Sequence, residues 1–186
     1  MAERTLWLLR HAKTVTDPPP GGDDFDRVLA PRGRRDANAL APELAGDRVA
    51  LGLADVPLPT LALVSPAART TATAELALAG LTNPPAIEFV PDLYGADPEE
   101  VLDILRALPV RVRSVMVIGH NPTMHALAQG LISADDRDGR SLAARRGFPT
   151  CALGVYRFDT KGWRPIGAKT ATVLSLVIPP YGKSKD

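Results

Sequence analysis

The sequence predicts an α/β fold of three layers, with a mostly parallel central sheet between two layers of helices. Three observations carry that expectation. Apolar runs of strand length, 5–9, 61–64 and 114–118, recur along the chain and are apolar throughout, as strands covered on both faces are. Segments with helix-start chemistry or helical spacing alternate with these runs. Each run also ends at a short polar junction rather than at a hairpin turn, as strand-to-helix connections in such folds do.

Taken in order, residues 5–9 (Thr5 to Leu9) form the first strand and deliver Arg10 and His11 at its end. Residues 12–31 read as a long loop, because Pro18-Pro19-Pro20-Gly21-Gly22-Asp23-Asp24 cannot hold regular structure. Pro31-Arg32-Gly33 precedes a helix over about 34–45, with Ala37, Leu40, Ala41 and Leu44 on one face. Leu61 to Val64 is a buried strand. Ser65 is read as an N-cap with Pro66 at the first helical position, opening a helix over about 67–79 that carries Arg69 in its first turn. Residues 87–90 read as a strand, and Asp97-Pro98-Glu99-Glu100 caps a helix running through Leu108. The strand 114–118 leads through Gly119-His120-Asn121-Pro122 into a helix from Thr123 to about Leu131. Residues 133–147 are charged and read as a loop, 151–158 and 172–177 as closing strands, and 182–186 as a polar tail. No internal repeat or composition break divides the chain, so one domain over 1–186 is expected.

Composition narrows the function classes. The formal net charge is +1, from 22 Lys and Arg against 21 Asp and Glu, which gives no global attraction to nucleic acid or membrane surfaces. Phosphate affinity would therefore have to come from local clustering. A lone cysteine, Cys151, excludes an intrachain disulfide and fits a reducing compartment. The run Leu6–Leu9 is too short for a signal-peptide core, and no stretch approaches membrane-span length. A cytoplasmic location is expected.

The chemistry sits at three strand ends. Arg10-His11 alone could be a solvated strand terminus. Ligands in open α/β sheets, however, bind outside the carboxyl ends of the strands. If the three runs are parallel neighbours, Arg10, His11, Arg69 and His120 converge on one edge, beside two helix N-termini. Two guanidinium forks, two imidazoles and two helix N-termini suit a dianionic phosphoryl group.

This set resembles the histidine phosphatase superfamily, also called phosphoglycerate mutase-like. Its segments occur in family order: Leu8-Leu9-Arg10-His11, then Val64-Ser65-Pro66 with Arg69-Thr70, then Val117-Ile118-Gly119-His120-Asn121-Pro122. The stretch from Asp26 to Gly33 is similar to the short SixA-like branch, the protein-phosphohistidine phosphatases, as is Ala12-Lys13 in place of the family's usual glycine. The resemblance implies a phosphoglycerate mutase-like fold and a metal-independent phosphohydrolase without a cofactor. It implies that His11 is the nucleophile and that Arg10, Arg69 and His120 hold the phosphoryl oxygens. Asn121 would add a neutral donor. Arg27 would either reach the phosphate from the long loop or pair with Asp24 or Asp26 at the surface. Asp92 is the nearest candidate for a general acid, with a turn role as its alternative. A phosphorylated protein bearing phosphohistidine is the implied partner. A small phosphorylated metabolite, such as a sugar or nucleotide phosphate, and a non-catalytic phosphoryl-binding module stay open beside it. Oligomeric state is not legible.

Other candidates read as structural. Lys13 and Arg32 form a solvated rim, and Thr14 stabilises a turn, with donation of its hydroxyl to phosphate as the alternative. His125 lies five residues after His120, off its helical face, which disfavours a metal pair. Cys151 opens an apolar strand and suits a buried thiol. No phosphate-binding glycine loop of the nucleotide type and no dinucleotide fingerprint occurs.

Overall fold

The computed structural model describes residues 3–181; the tail at 182–186 lies outside the described residues. Six strands, β1 (Arg4–Arg10), β2 (Leu61–Val64), β3 (Ala86–Phe89), β4 (Ser114–Gly119), β5 (Leu153–Phe158) and β6 (Thr172–Val177), form one sheet in the order β3-β2-β4-β1-β5-β6. β1 to β4 pair in parallel, and β5 runs antiparallel to both β1 and β6. The helices are α1 (Pro31–Ala45), α2 (Ala68–Ala77), α3 (Pro98–Arg106), α4 (Thr123–Gly130) and α5 (Arg137–Arg146). The expected α/β architecture with a mostly parallel sheet is the one observed.

Alternate residues of each central strand enter different cores, because successive side chains leave a strand on opposite faces. Leu6, Leu8, Leu63, Val115 and Val117 pack with α3 and α4. Trp7, Leu9, Val64, Met116 and Ile118 pack with Ala37, Leu40 and Leu44 of α1 and with Ala74 and Ala77 of α2. This double covering is why the strands read as unbroken apolar runs. It also leaves the carboxyl ends of β1, β2 and β4 side by side, since Leu9 is level with Ile118 and Val64 is level with Ile118 on its other side.

Two local expectations are overturned. Residues 133–147 are not a loop throughout: α5 occupies Arg137–Arg146. It buries only Gly139 and Ala143, so it carries almost no apolar stripe to betray it. Asp136 starts it, one carboxylate oxygen accepting from the Gly139 amide at 2.8 Å and the other from the Val173 amide of β6 at 2.8 Å. Ser65 is likewise not the N-cap of α2. That position is Ala67, with no side-chain capping bond, and the fully buried Ser65 hydroxyl faces His120 instead.

Gly33, in the first turn of α1, lies against the loop that leaves β1. A Cβ built there would stand 2.0 Å from the carbonyl oxygen of Lys13, which also accepts from the Ala30 amide at 2.9 Å. Backbone cannot yield as a flexible side chain would. Gly33→Ala is expected to destabilise the fold by about 2–3 kcal/mol as an overpacked contact. For a chain of this size that is a fall in Tm of about 5–10 °C, read by thermal melting.

Candidate active site

The carboxyl edge of β1, β2 and β4 gathers Arg10, His11, Arg69, His120 and Asn121 as the strand ends foretold. His11 follows the last residue of β1. Its amide donates to the Gly119 carbonyl at 3.1 Å, and its own carbonyl accepts from the Cys151 amide at 3.1 Å. The backbone of Ala12 is pinned to α2: its amide donates to Thr73 Oγ1 at 3.0 Å, while the Thr73 hydroxyl donates to the Arg69 carbonyl at 2.6 Å.

The tautomers follow from the partners. A carbonyl oxygen only accepts, so the 2.9 Å contact between His11 Nδ1 and the Ala12 carbonyl places the proton on Nδ1 and leaves Nε2 with its lone pair. Arg69 Nε only donates, so its 3.2 Å contact makes Nδ1 of neutral His120 an acceptor. The His120 Nε2 proton then points to Ser65 Oγ at 2.8 Å. The two imidazole centroids stand 5.3 Å apart. Burial, with help from the neighbouring guanidiniums, lowers the His11 pKa to about 4 and the His120 pKa to about 3. Both rings are therefore neutral bases at physiological pH.

The sign of the linkage is fixed by these directions. The unfolded chain takes up protons on both histidines below about 6.5, where the folded chain resists them. Stability from these two groups is complete above that pH and drains away as pH falls toward about 4. Melts from pH 7 to pH 4 should show a falling Tm, and a His11→Gln/His120→Gln variant should show a shallower fall over the same range.

The cations have unequal surroundings. Arg10 Nη1 donates to the Phe148 carbonyl at 3.1 Å, its Nε is buried without a partner, and burial lowers its pKa. Asn121 Nδ2 donates to the same Phe148 oxygen at 3.1 Å, while its Oδ1 is buried and unpaired. Arg69, 6% exposed, sends Nε to His120, Nη1 to the Asp24 carbonyl at 2.5 Å and Nη2 to Asp24 Oδ2 at 2.9 Å. Arg27 comes into the site's orbit through the same carboxylate: its Nη1 donates to Asp24 Oδ1 at 2.9 Å and its Nη2 to Thr14 Oγ1 at 2.7 Å. Thr14 thus holds Arg27. The hydrogen bond from Arg27, with those from Tyr94 and Arg69, pulls the Asp24 pKa down to about 2.

Two groups in this cluster, Asp24 and Tyr94, carry no motif that sequence reasoning could use. The Tyr94 hydroxyl donates to Asp24 Oδ2 at 3.0 Å, and its ring meets the His120 ring edge-on at 5.5 Å and Phe25 at 5.0 Å. Asp92 lies on the exposed side of the turn Pro91–Leu93, with no hydrogen bond or ion pair among the described residues. Lys13 is exposed, and Arg32 pairs loosely with Asp36 at 3.5 Å. His125 contacts Gln129 rather than the site, and burial pushes the Cys151 thiol up to about 12. Among the described residues no three His, Cys, Asp or Glu side chains cluster as metal ligands. A cleft of about 220 Å³ opens beside His120, walled by Leu93, Ala96, Val101, Pro122 and Met124.

A mostly parallel α/β sheet whose carboxyl edge sets two neutral imidazoles among guanidiniums defines a phosphoryl-handling class of protein. Comparison with known proteins agrees. The family model of the histidine phosphatase superfamily (branch 1) matches residues 6–94. An uncharacterized protein of Mycobacterium tuberculosis is 33% identical over 173 residues, 92% of this chain and 99% of its own length. A solved structure of a candidate phosphohistidine phosphatase SixA from Agrobacterium tumefaciens is 31% identical, with a TM-score of 0.72 over 95% of this chain and 98% of that one. Another from Nakamurella multipartitia is 28% identical, with a TM-score of 0.76 over 97% and 98%. The chain belongs to the histidine phosphatase superfamily, has its phosphoglycerate mutase-like fold, and is a phosphatase.

Proposed function

We propose that the protein is a metal-independent phosphohydrolase that carries the phosphoryl group on His11, and that its substrate is phosphohistidine in another protein. The observation that carries this reading is the fixed tautomer of His11: with Nδ1–H held by the Ala12 carbonyl, the neutral ring keeps its lone pair on Nε2, as a nucleophile must. In the first step the Nε2 lone pair forms a bond to phosphorus as the substrate's P–N bond breaks. The departing electron pair returns to the substrate imidazole, whose other nitrogen takes a proton from solvent, so it leaves as neutral imidazole. Water then attacks phosphorus, the bond to Nε2 breaks, and inorganic phosphate departs with the proton of water passing to solvent.

Arg10 and Arg69 supply fixed positive charge to the equatorial oxygens, with Arg27 and Asn121 at the periphery. His120 joins them by exchanging its Ser65 contact for a phosphoryl oxygen. An imidazole leaving group needs no dedicated acid, so Asp92 has no assigned part. Between Tyr94 and β4 the chain holds the single helix α3 rather than a large insertion, which suits a macromolecular substrate. The neighbours from Agrobacterium and Nakamurella, named for phosphohistidine, favour the same substrate class. A single domain over the whole chain and a cytoplasmic location complete the reading. Among the described residues no helix is long and apolar enough to cross a membrane.

The test compares phosphate release from a phosphohistidine-bearing protein with release from sugar and nucleotide monophosphates. Phosphohistidine should give the higher kcat/KM. A clear preference for the monoesters would overturn the substrate assignment.

A further inference from the structure

Every nitrogen of Arg69 is already engaged, through three of its five N–H donors. Nε is engaged by His120, and both terminal nitrogens are engaged by Asp24, one through the backbone carbonyl and one through the carboxylate. The other carboxylate oxygen takes Arg27, and Tyr94 closes the arrangement from above. Asp24, through its backbone carbonyl on one side and its carboxylate on the other, thus occupies the guanidinium fork that a phosphoryl group would need. We propose that Asp24 is a resident anion gating the phosphoryl seat, displaced by the incoming phosphoryl group, and that it sets the threshold of oxyanion affinity the site will accept.

The surrounding segment is built for such a movement. Asp24–Asp26 is a single 3-10 turn whose residues are all at least partly exposed, and the Asp24 side chain is 55% exposed. The turn holds its own shape: Asp23 accepts from the Phe25 amide at 2.7 Å and Asp26 from the Asp23 amide at 3.1 Å. The loop is pinned at its base by the bridge between Thr14 and Leu29 and by the Val15 amide on the Val28 carbonyl at 3.1 Å. Arg27 is also held at that base, by Thr14 and the Val15 carbonyl. The tip can therefore swing about a fixed stem once Asp24 gives up its contact with Arg27, which belongs to that stem. Its links to the site are Asp24 on Arg69 and Tyr94, and Phe25 against the Tyr94 ring. A carboxylate brings one negative charge to the fork, whereas a phosphoryl dianion brings two and a third oxygen, so the substrate wins the exchange and weaker anions do not.

The inference rests on this cluster being the phosphoryl seat, as proposed above, yet its test needs no turnover. Inorganic phosphate is titrated calorimetrically into the wild-type chain and into Asp24→Asn, which keeps the side-chain shape and removes the charge. Phosphate should bind the variant about tenfold more tightly, the scale of one charge-assisted hydrogen bond no longer broken on binding. Tyr94→Phe, which removes one of the carboxylate's partners without touching Asp24, should give a smaller gain in the same direction and serves if the first variant does not fold. Unchanged or weaker phosphate binding in whichever of the two folds would overturn the gate, whatever the enzyme is found to hydrolyse. Failure of phosphohistidine hydrolysis with tighter phosphate binding would instead overturn the substrate assignment alone.

Discussion

His11→Ala is expected to lower kcat by about 10⁴-fold or more, the scale seen when a nucleophile of a two-step mechanism is removed. The side chain does three things that no neighbour can take over. It presents a lone pair on Nε2, it is held in that tautomer by the Ala12 carbonyl, and it is neutral because burial depresses its pKa to about 4. His120 cannot substitute, since both of its nitrogens are engaged, by Arg69 and by Ser65. Single-turnover phosphate release measures the loss. Denaturing the wild-type enzyme at neutral pH during turnover should also trap a phosphoryl label on the protein, and the variant should trap none. Residual activity within tenfold of wild type would remove His11 as nucleophile.

Arg69→Ala is the second large effect, with kcat expected to fall about 10²–10³-fold, as for loss of one preorganised donor to developing charge. Arg69 also orients His120 through Nε, so the variant should lose the fixed imidazole as well as the guanidinium. Arg69→Lys should recover little of the loss, because an ammonium on a flexible stem cannot serve His120 and a phosphoryl oxygen in one plane. The gain in phosphate affinity expected of Asp24→Asn should vanish when Arg69 is already alanine, since the two residues act through one contact. Steady-state kinetics and phosphate titration of the single and double variants read both effects.

Sequence carried the edge of the sheet well and the floor of the site poorly. Arg10-His11, Arg69 and His120-Asn121 each follow a strand whose apolar run is unmistakable, so topology alone brings them together. Asp24 sits in a stretch rich in proline and glycine with no periodicity, and its meaning depends on an arginine 45 residues away. Tyr94 carries no signal of its own in the sequence, and the candidate acid beside it, Asp92, lies on the exposed side of the turn Pro91–Leu93. A serine before a proline most often caps a helix, but burial of Ser65 beside an imidazole claims its hydroxyl. α5 escaped because a helix with four arginines and two buried residues resembles a solvated loop in any hydrophobic pattern. For Arg27 the sequence allows either a phosphate or a carboxylate partner; the structure contains the ion pair with Asp24, and Asp24 links it to Arg69.

The carbonyl oxygen of Phe148 accepts from both Arg10 and Asn121, which belong to two different strand ends. Every amino acid at position 148 would present that same oxygen, so the alignment of those two groups is written into the path of the chain and not into any side-chain alphabet. The phenyl ring, 2% exposed in the core that α3 and α4 share, acts only as ballast that keeps the path in place. Residue 148 could thus change its identity while the arginine kept its anchor, so long as the new side chain filled the same space. A shift of the backbone by a single ångström would disturb two strand ends at once.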